Sequence, residues 1–180
     1  MGPARYPDGL ELRAVPELRA VGRKLEGHAA VFDIPAAIGG FTEVVRAGAF
    51  RASLLNPKAD VLALVDHDPG RLLARTSSGT LRLAEDGRGL AFSLDVPDTQ
   101  LGRDVLTMAE RRDLGGMSFG FRVTDEAWPT KNRRELRAVE LVEVSIIHAH
   151  AAYAATTVTA RSRALAGSDA LARSRFLEML

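Results

Sequence analysis

The chain is 180 residues long, enough for one domain with a buried core and cramped for two. Its 24 basic and 23 acidic residues leave a net charge of +1, which argues against nucleic acid as the main partner, since a phosphate-binding face shows a clear basic excess. There is no cysteine, which excludes disulfide staples, thiol nucleophiles and thiolate metal sites; no stretch approaches a membrane span and the N-terminus lacks a signal-like apolar run, so a soluble protein is expected.

Residues 1–10 carry two prolines and no periodicity, so a loose start is expected. From Glu11 to Phe32 the pattern suits strands, clearest from Glu26, and Pro35 ends the run. Gly39-Gly40 reads as a turn, residues 41–45 as a short strand, and Gly48-Ala49-Phe50 as the opening of a brief helix that stops before Pro57. The continuous apolar run 61–65 suits a strand buried on both faces, and it delivers His67 into a turn, Asp66-His67-Asp68-Pro69-Gly70. Strands over 72–75 and 80–84 follow, then Asp86-Gly87 makes a hairpin into 89–96.

Residues 99–112 form the best internal helix, with Leu101, Val105 and Met108 on one face, Thr99 as N-cap and Gly115 as its C-terminal stop. Beyond the glycine pair, Met117, Phe119, Phe121 and Val123 alternate, which predicts a strand to about Glu126 with Ser118, Gly120 and Arg122 on the opposite face. Ser118 should then face solvent, with Gly120 leaving bare backbone beside the hydroxyl for an approaching peptide. Residues 128–132 turn the chain into a return strand over 134–148, where Leu141, Glu143, Ser145 and Ile147 share a face. A carboxylate at position 143, among apolar neighbours, needs a partner. An Ala- and Arg-rich C-terminal helix is expected beyond Ser162.

Ser118, His67 and Glu143 are the serine, histidine and acid that three core strands of a small β domain can bring together. A serine hydroxyl is a weak nucleophile until a base takes its proton, and the base works best when a third group holds its ring. Taken alone, Ser118 is more simply an ordinary small residue on a polar strand face. His148 and His150, at i and i+2, could hold zinc with His67, although two exposed histidines at a strand end is the simpler reading. His28 is most simply a packed or edge histidine.

With these residues in view, the chain resembles the tailed-phage prohead maturation proteases, which are similar in fold to the herpesvirus assembly proteases. The resemblance rests on Gly27-His28-Ala29-Ala30-Val31-Phe32, on residues 40–50, on His67-Asp68 after an apolar strand, on Gly116-Met117-Ser118-Phe119-Gly120-Phe121, and on Leu141-Val142-Glu143-Val144-Ser145-Ile146-Ile147. These pieces run in family order over about residues 20–158. After Ile147 the chain departs from the family pattern: it reads His148-Ala149-His150 where members commonly carry a proline.

The resemblance implies an α+β fold, a mostly antiparallel, partly closed β-barrel with a few peripheral helices. Its domain would span 11–160, between a flexible 1–10 and a helical tail, 161–180, that self-cleavage could remove. It implies a serine endopeptidase with His67 as general base, Ser118 as nucleophile and Glu143 as third member, Glu140 being the alternative acid. Arg133 or Arg134 is a candidate oxyanion donor by the same likeness. The implied substrate is the major capsid protein precursor or a scaffold protein, cut inside the immature procapsid in the host cytoplasm. No cofactor, nucleic acid or membrane is called for, and a homodimer is suggested by the herpesvirus relatives. The competing reading is a non-catalytic β-barrel that binds scaffold during virion assembly.

Overall fold

Eleven strands and two helices form among the described residues, 9–15 and 18–148, of the computed structural model. The expected C-terminal helix, His150 and most of the N-terminal segment lie outside the described residues. In chain order the elements are β1 (Glu11–Val15), β2 (Leu18–Val21), β3 (Lys24–Val31), β4 (Ala36–Ile38), β5 (Phe41–Val45), α1 (Arg51–Leu55), β6 (Leu62–Val65), β7 (Asp68–Arg75), β8 (Leu81–Glu85), β9 (Gly89–Asp95), α2 (Gln100–Arg111), β10 (Gly116–Thr130) and β11 (Arg133–Ile147).

The strands form a seven-stranded sheet, ordered β1-β10-β11-β5-β4 with β6 pairing β11 and β7, and a four-stranded sheet, β2-β3-β9-β8. All pairings are antiparallel except β11 with β5 and β11 with β6. The class is therefore α+β and mostly β, while the described strands form two sheets and no closed barrel. One apolar core lies between them, with Leu25, Leu90 and Leu94 from the smaller sheet and Phe119, Phe121 and Val144 from the larger. The Phe119 ring meets Phe121 at 5.1 Å and Phe50, just ahead of α1, edge-on at 5.5 Å. No described helix is long and apolar enough to cross a membrane.

The helix α2 forms where its periodicity predicts, with the Thr99 side chain accepting the Gly102 N–H at 3.1 Å and Val105 buried against the core. It stops at Arg112, which takes the left-handed conformation at φ 62°, instead of at Gly115. The Arg112 and Asp113 N–H groups fold back onto the carbonyls of Ala109 and Met108, and Gly115 is already bonded to Ile147 in the sheet. The strand β10 also runs past its expected end at Glu126. Trp128 packs edge-on against Phe41 at 5.0 Å, and the hairpin turn shrinks to Lys131-Asn132.

The strand β11 is the spine of the larger sheet. One edge pairs with β10 from end to end; the other takes β5 at residues 133–136 and β6 at 143–146. At its first end Arg134, 1% exposed, lies within a buried ion cluster. Its guanidinium donates to both oxygens of Glu11 (2.7 and 3.0 Å), to Glu43 (3.0 Å) and to Glu126 (2.5 Å). Arg13 bonds Glu11 at 2.8 Å and Glu43 at 2.5 and 2.8 Å. Burial alone would raise the Glu11 carboxyl, but hydrogen bonds and charge from Arg134, then Arg13, outweigh it and hold Glu11 below its ordinary value.

Removing Arg134 leaves two buried carboxylates to share the single charge of Arg13, so Arg134→Ala should cost about 3–5 kcal/mol, read as a melting temperature lower by roughly 10 °C. Because the Glu11 pKa is depressed on folding, its contribution is complete above the ordinary carboxylate range and is lost as pH falls through the folded value. Denaturant titrations from neutral to acid pH should show stability falling less steeply in Glu11→Gln than in the parent.

Candidate functional site

Three segments meet on one patch of the larger sheet: the β6–β7 turn, the start of β10 and the second half of β11. Val65 pairs with Asp68, so Asp66 and His67 alone must reverse the chain. Both take left-handed backbone, at φ 52° and 60°, which is the mirror-image hairpin turn that matches strand twist. Non-glycine residues there cost of order 1 kcal/mol each, and Asp66 supplies bonds that offset this. Its N–H donates to the Ile146 carbonyl at 2.9 Å. Its carboxylate accepts from the His148 N–H (2.9 Å), from His148 Nδ1 (2.6 Å) and from Arg71 (2.9 Å). Burial pushes the Asp66 carboxyl up, yet the bonds and charge of His148, with Arg71, hold it below its usual value.

The turn presents the His67 ring to Glu143, with Nδ1 and Oε1 2.6 Å apart. Glu143 is 4% exposed, in the stretch of β11 that runs parallel to β6. Its second oxygen, Oε2, accepts a short hydrogen bond from Ser145 Oγ, and Ser145 Oγ in turn accepts the His67 N–H at 3.3 Å. With the carboxylate as acceptor, His67 Nδ1 carries the hydrogen, which leaves Nε2 as the basic nitrogen.

Across the β10–β11 ladder, Gly120 lies opposite Glu143 and Ser118 opposite Ser145, so all four share one face. A Cβ on Gly120 would come 2.5 Å from Glu143 Oε1. The bare backbone at Gly120 thus makes room for the carboxylate, where the sequence suggested room for a peptide. Just beyond, the ladder slips: Phe121 pairs with Leu141, leaving Val142 as a bulge. The slip turns Leu141 into the core with Phe121, away from the Glu143 face where simple alternation puts it. The displaced Leu141 N–H donates to Ser53 of α1 at 2.9 Å.

The structure thus brings His67 and Glu143 into contact and places Ser118 diagonally across the ladder from Glu143. Ser118 is 2% exposed, not solvent-facing as its alternation suggests. At that point β10 is paired on both sides, with Ala14 of β1 and Ser145 of β11 opposite the serine, so its neighbours on both flanks crowd it. Among the described residues no hydrogen bond joins His67 to Ser118. Glu140 does not reach His67: it is exposed, with Arg122 3.6 Å away. Arg134 is committed to its three glutamates and Arg133 reaches toward Glu135, both at the far end of β11 from Ser145, so neither is placed to meet an oxyanion at Ser118. His148 turns to Asp66 and His67 to Glu143, and no group of three metal-ligating side chains occurs among the described residues; His150 lies outside them. His28 bonds Asp86 at 2.8 Å on the smaller sheet, and that bond, with the Arg88 and Gly89 N–H groups, holds the Asp86 pKa down to about 2.

Sequence reasoning missed the roles of Ser145, Asp66 and Gly120. The Glu-x-Ser spacing of residues 143 and 145 was the available signal, since i and i+2 on a strand face the same way.

A family model described as the caudovirus prohead serine protease matches residues 10–169. Among solved structures, the capsid assembly protease of bacteriophage T4 superposes with a TM-score of 0.51 at 9% identity, over 77% of this chain and 96% of that one. No curated protein matches the chain.

Gly120→Ala should push the Glu143 carboxylate off His67. The downfield imidazole Nδ1 proton expected in the parent proton NMR spectrum should then be absent from the variant; its persistence would show that the carboxylate finds another route to the ring.

Proposed function

The chain belongs to the caudovirus prohead serine protease family, and from that premise we propose that it matures a phage procapsid by acyl-transfer proteolysis, with Ser118 as nucleophile, His67 as general base and Glu143 as the acid that orients the base. The observation that carries this reading is the 2.6 Å contact between His67 Nδ1 and a buried carboxylate on a strand beside the one bearing Ser118.

In this mechanism His67 Nε2 takes the Ser118 proton as Oγ attacks the scissile carbonyl. The imidazolium then gives that proton to the leaving amine, and water, activated by the same nitrogen, releases the acyl group. Glu143 keeps the ring in one tautomer and balances the positive charge that forms on it. His67 and Ser118 are not bonded here, and catalytic hydrogen bonds often tighten only when substrate is seated. Backbone N–H groups supply the oxyanion hole, since Arg134 is held by its three glutamates at the far end of β11.

The proposed substrate is the scaffold, or the scaffolding segment of the major capsid protein precursor, together with this chain's own tails, cut inside the immature procapsid. The proposed fold refinement is a herpesvirus-protease-like, partly closed barrel, and the proposed assembly a homodimer.

One observation favours a second reading, a β domain that binds scaffold without cutting: Ser118 is buried and unbonded to His67. Co-expression with the capsid precursor separates the two. Intact masses should show truncation with the parent chain, none with Ser118→Ala, and cleavage slowed by about 100- to 10,000-fold with Glu143→Gln, whose misheld histidine still serves as base. Full-length proteins that co-purify in every sample would favour the binding module, and cleavage by Ser118→Ala would remove Ser118 from the mechanism.

A further inference from the structure

The hydroxyl of Ser145 closes a ring around the candidate base. Starting at His67, the ring nitrogen Nδ1 reaches Glu143 Oε1 at 2.6 Å; Glu143 Oε2 accepts from Ser145 Oγ; and Ser145 Oγ accepts the His67 backbone N–H at 3.3 Å. Both the side chain and the backbone of His67 are therefore tied to one carboxylate, the first directly and the second through Ser145. Among the described residues no other side chain is hydrogen-bonded to both partners of the His67–Glu143 pair. Ser145 is fully buried and its hydroxyl is committed to Glu143 and to the His67 N–H, and its place in the ladder is directly opposite Ser118.

From this geometry we infer that Ser145 is a positioning residue for the reaction, one that locks the Glu143 carboxylate in the orientation that aims His67 at Ser118. The inference rests on the triad reading above. A carboxylate with one oxygen on His67 can rotate about its own side chain unless the other oxygen is held. Gly120 leaves the space that Glu143 fills, but space alone does not fix rotation. The Ser145 hydroxyl does, and it also supplies a donor to a charge removed from water. Its second bond, from the His67 N–H, gives a buried amide in a left-handed turn a partner, so one side chain sets both the acid and the turn that carries the base.

A residue that only fills space would lower stability without changing the chemical step. A positioning residue lowers kcat in the folded enzyme and spares KM, because substrate binding is untouched. With a peptide made to a cleavage site mapped in the co-expression experiment, Ser145→Ala should lower kcat by about 10- to 100-fold, as expected for losing a hydrogen bond to a charged group, with KM within about twofold. The downfield His67 Nδ1 proton should broaden or move in the same variant, while Ser145→Thr, which keeps the hydroxyl, should restore both readouts. An Ala variant with the parent kcat and an unmoved proton would overturn the inference, as would a kcat loss that only tracks the unfolded fraction. Ser118→Ala run in parallel keeps the two questions apart. If it cuts, the triad reading fails; if it is inert while Ser145→Ala is fully active, only the role of Ser145 fails.

Discussion

A carboxylate folded into a sheet must be met by donors, and at Glu143 that requirement organises everything around it. Its two oxygens take two different donors, the His67 ring and the Ser145 hydroxyl, and its approach is possible only because position 120 has no side chain. The ring can reach it because a two-residue turn with left-handed backbone at both positions throws His67 back over β11. That turn is in turn held by Asp66, whose bonds to His148 and Arg71 offset the backbone strain. An unpaired charge at this depth would cost several kcal/mol, so loss of any partner is felt at the next.

The same spine strand carries a second buried polar cluster at its other end. Arg134 ties β11 to β1 through Glu11 and to β5 through Glu43, at the place where the first parallel pairing attaches. Glu143 and Ser145 tie it to the β6–β7 turn where the second attaches. Each cluster is specific to register, because a one-residue slip of a strand would turn its ionic side chain to the other face. Two register shifts of β11 lie between them, at Arg137 and at Val142. The apolar core drives assembly of the sheets; the polar clusters select which pairing is reached.

Much of this was legible in the chain. The alternation from Met117 to Val123, the apolar run before His67 and the Thr99 cap each encode local physics, and the strands and helix formed there. The need of Glu143 for a partner was legible as well, since a charged residue among apolar neighbours is a local conflict that only tertiary structure resolves. What could not be read was anything set by register. The bulge that turns Leu141 inward leaves no mark in sequence, and the burial of Ser118 depends on strands arriving from residues 11–15 and 133–147. Gly120 had two physical readings, an opening for substrate or a space for a neighbour, and only the ladder shows which atom fills it. Arg134 read as a hairpin arginine because its three carboxylate partners are spread from residue 11 to residue 126.

The family places this chain among the prohead serine proteases, and the site offers two serines on the same face as the acid that holds the base: Ser145, whose hydroxyl is given to that acid, and Ser118, whose hydroxyl is not. The most direct test of that account asks which hydroxyl the base activates. Treating the full chain with a fluorophosphonate, which loses fluoride as a serine oxygen bonds to phosphorus, and mapping the adduct by peptide mass spectrometry, should give one label on Ser118 that disappears in His67→Ala. A label on Ser145 or another serine, or none on a folded chain that still cleaves its substrate, would contradict it.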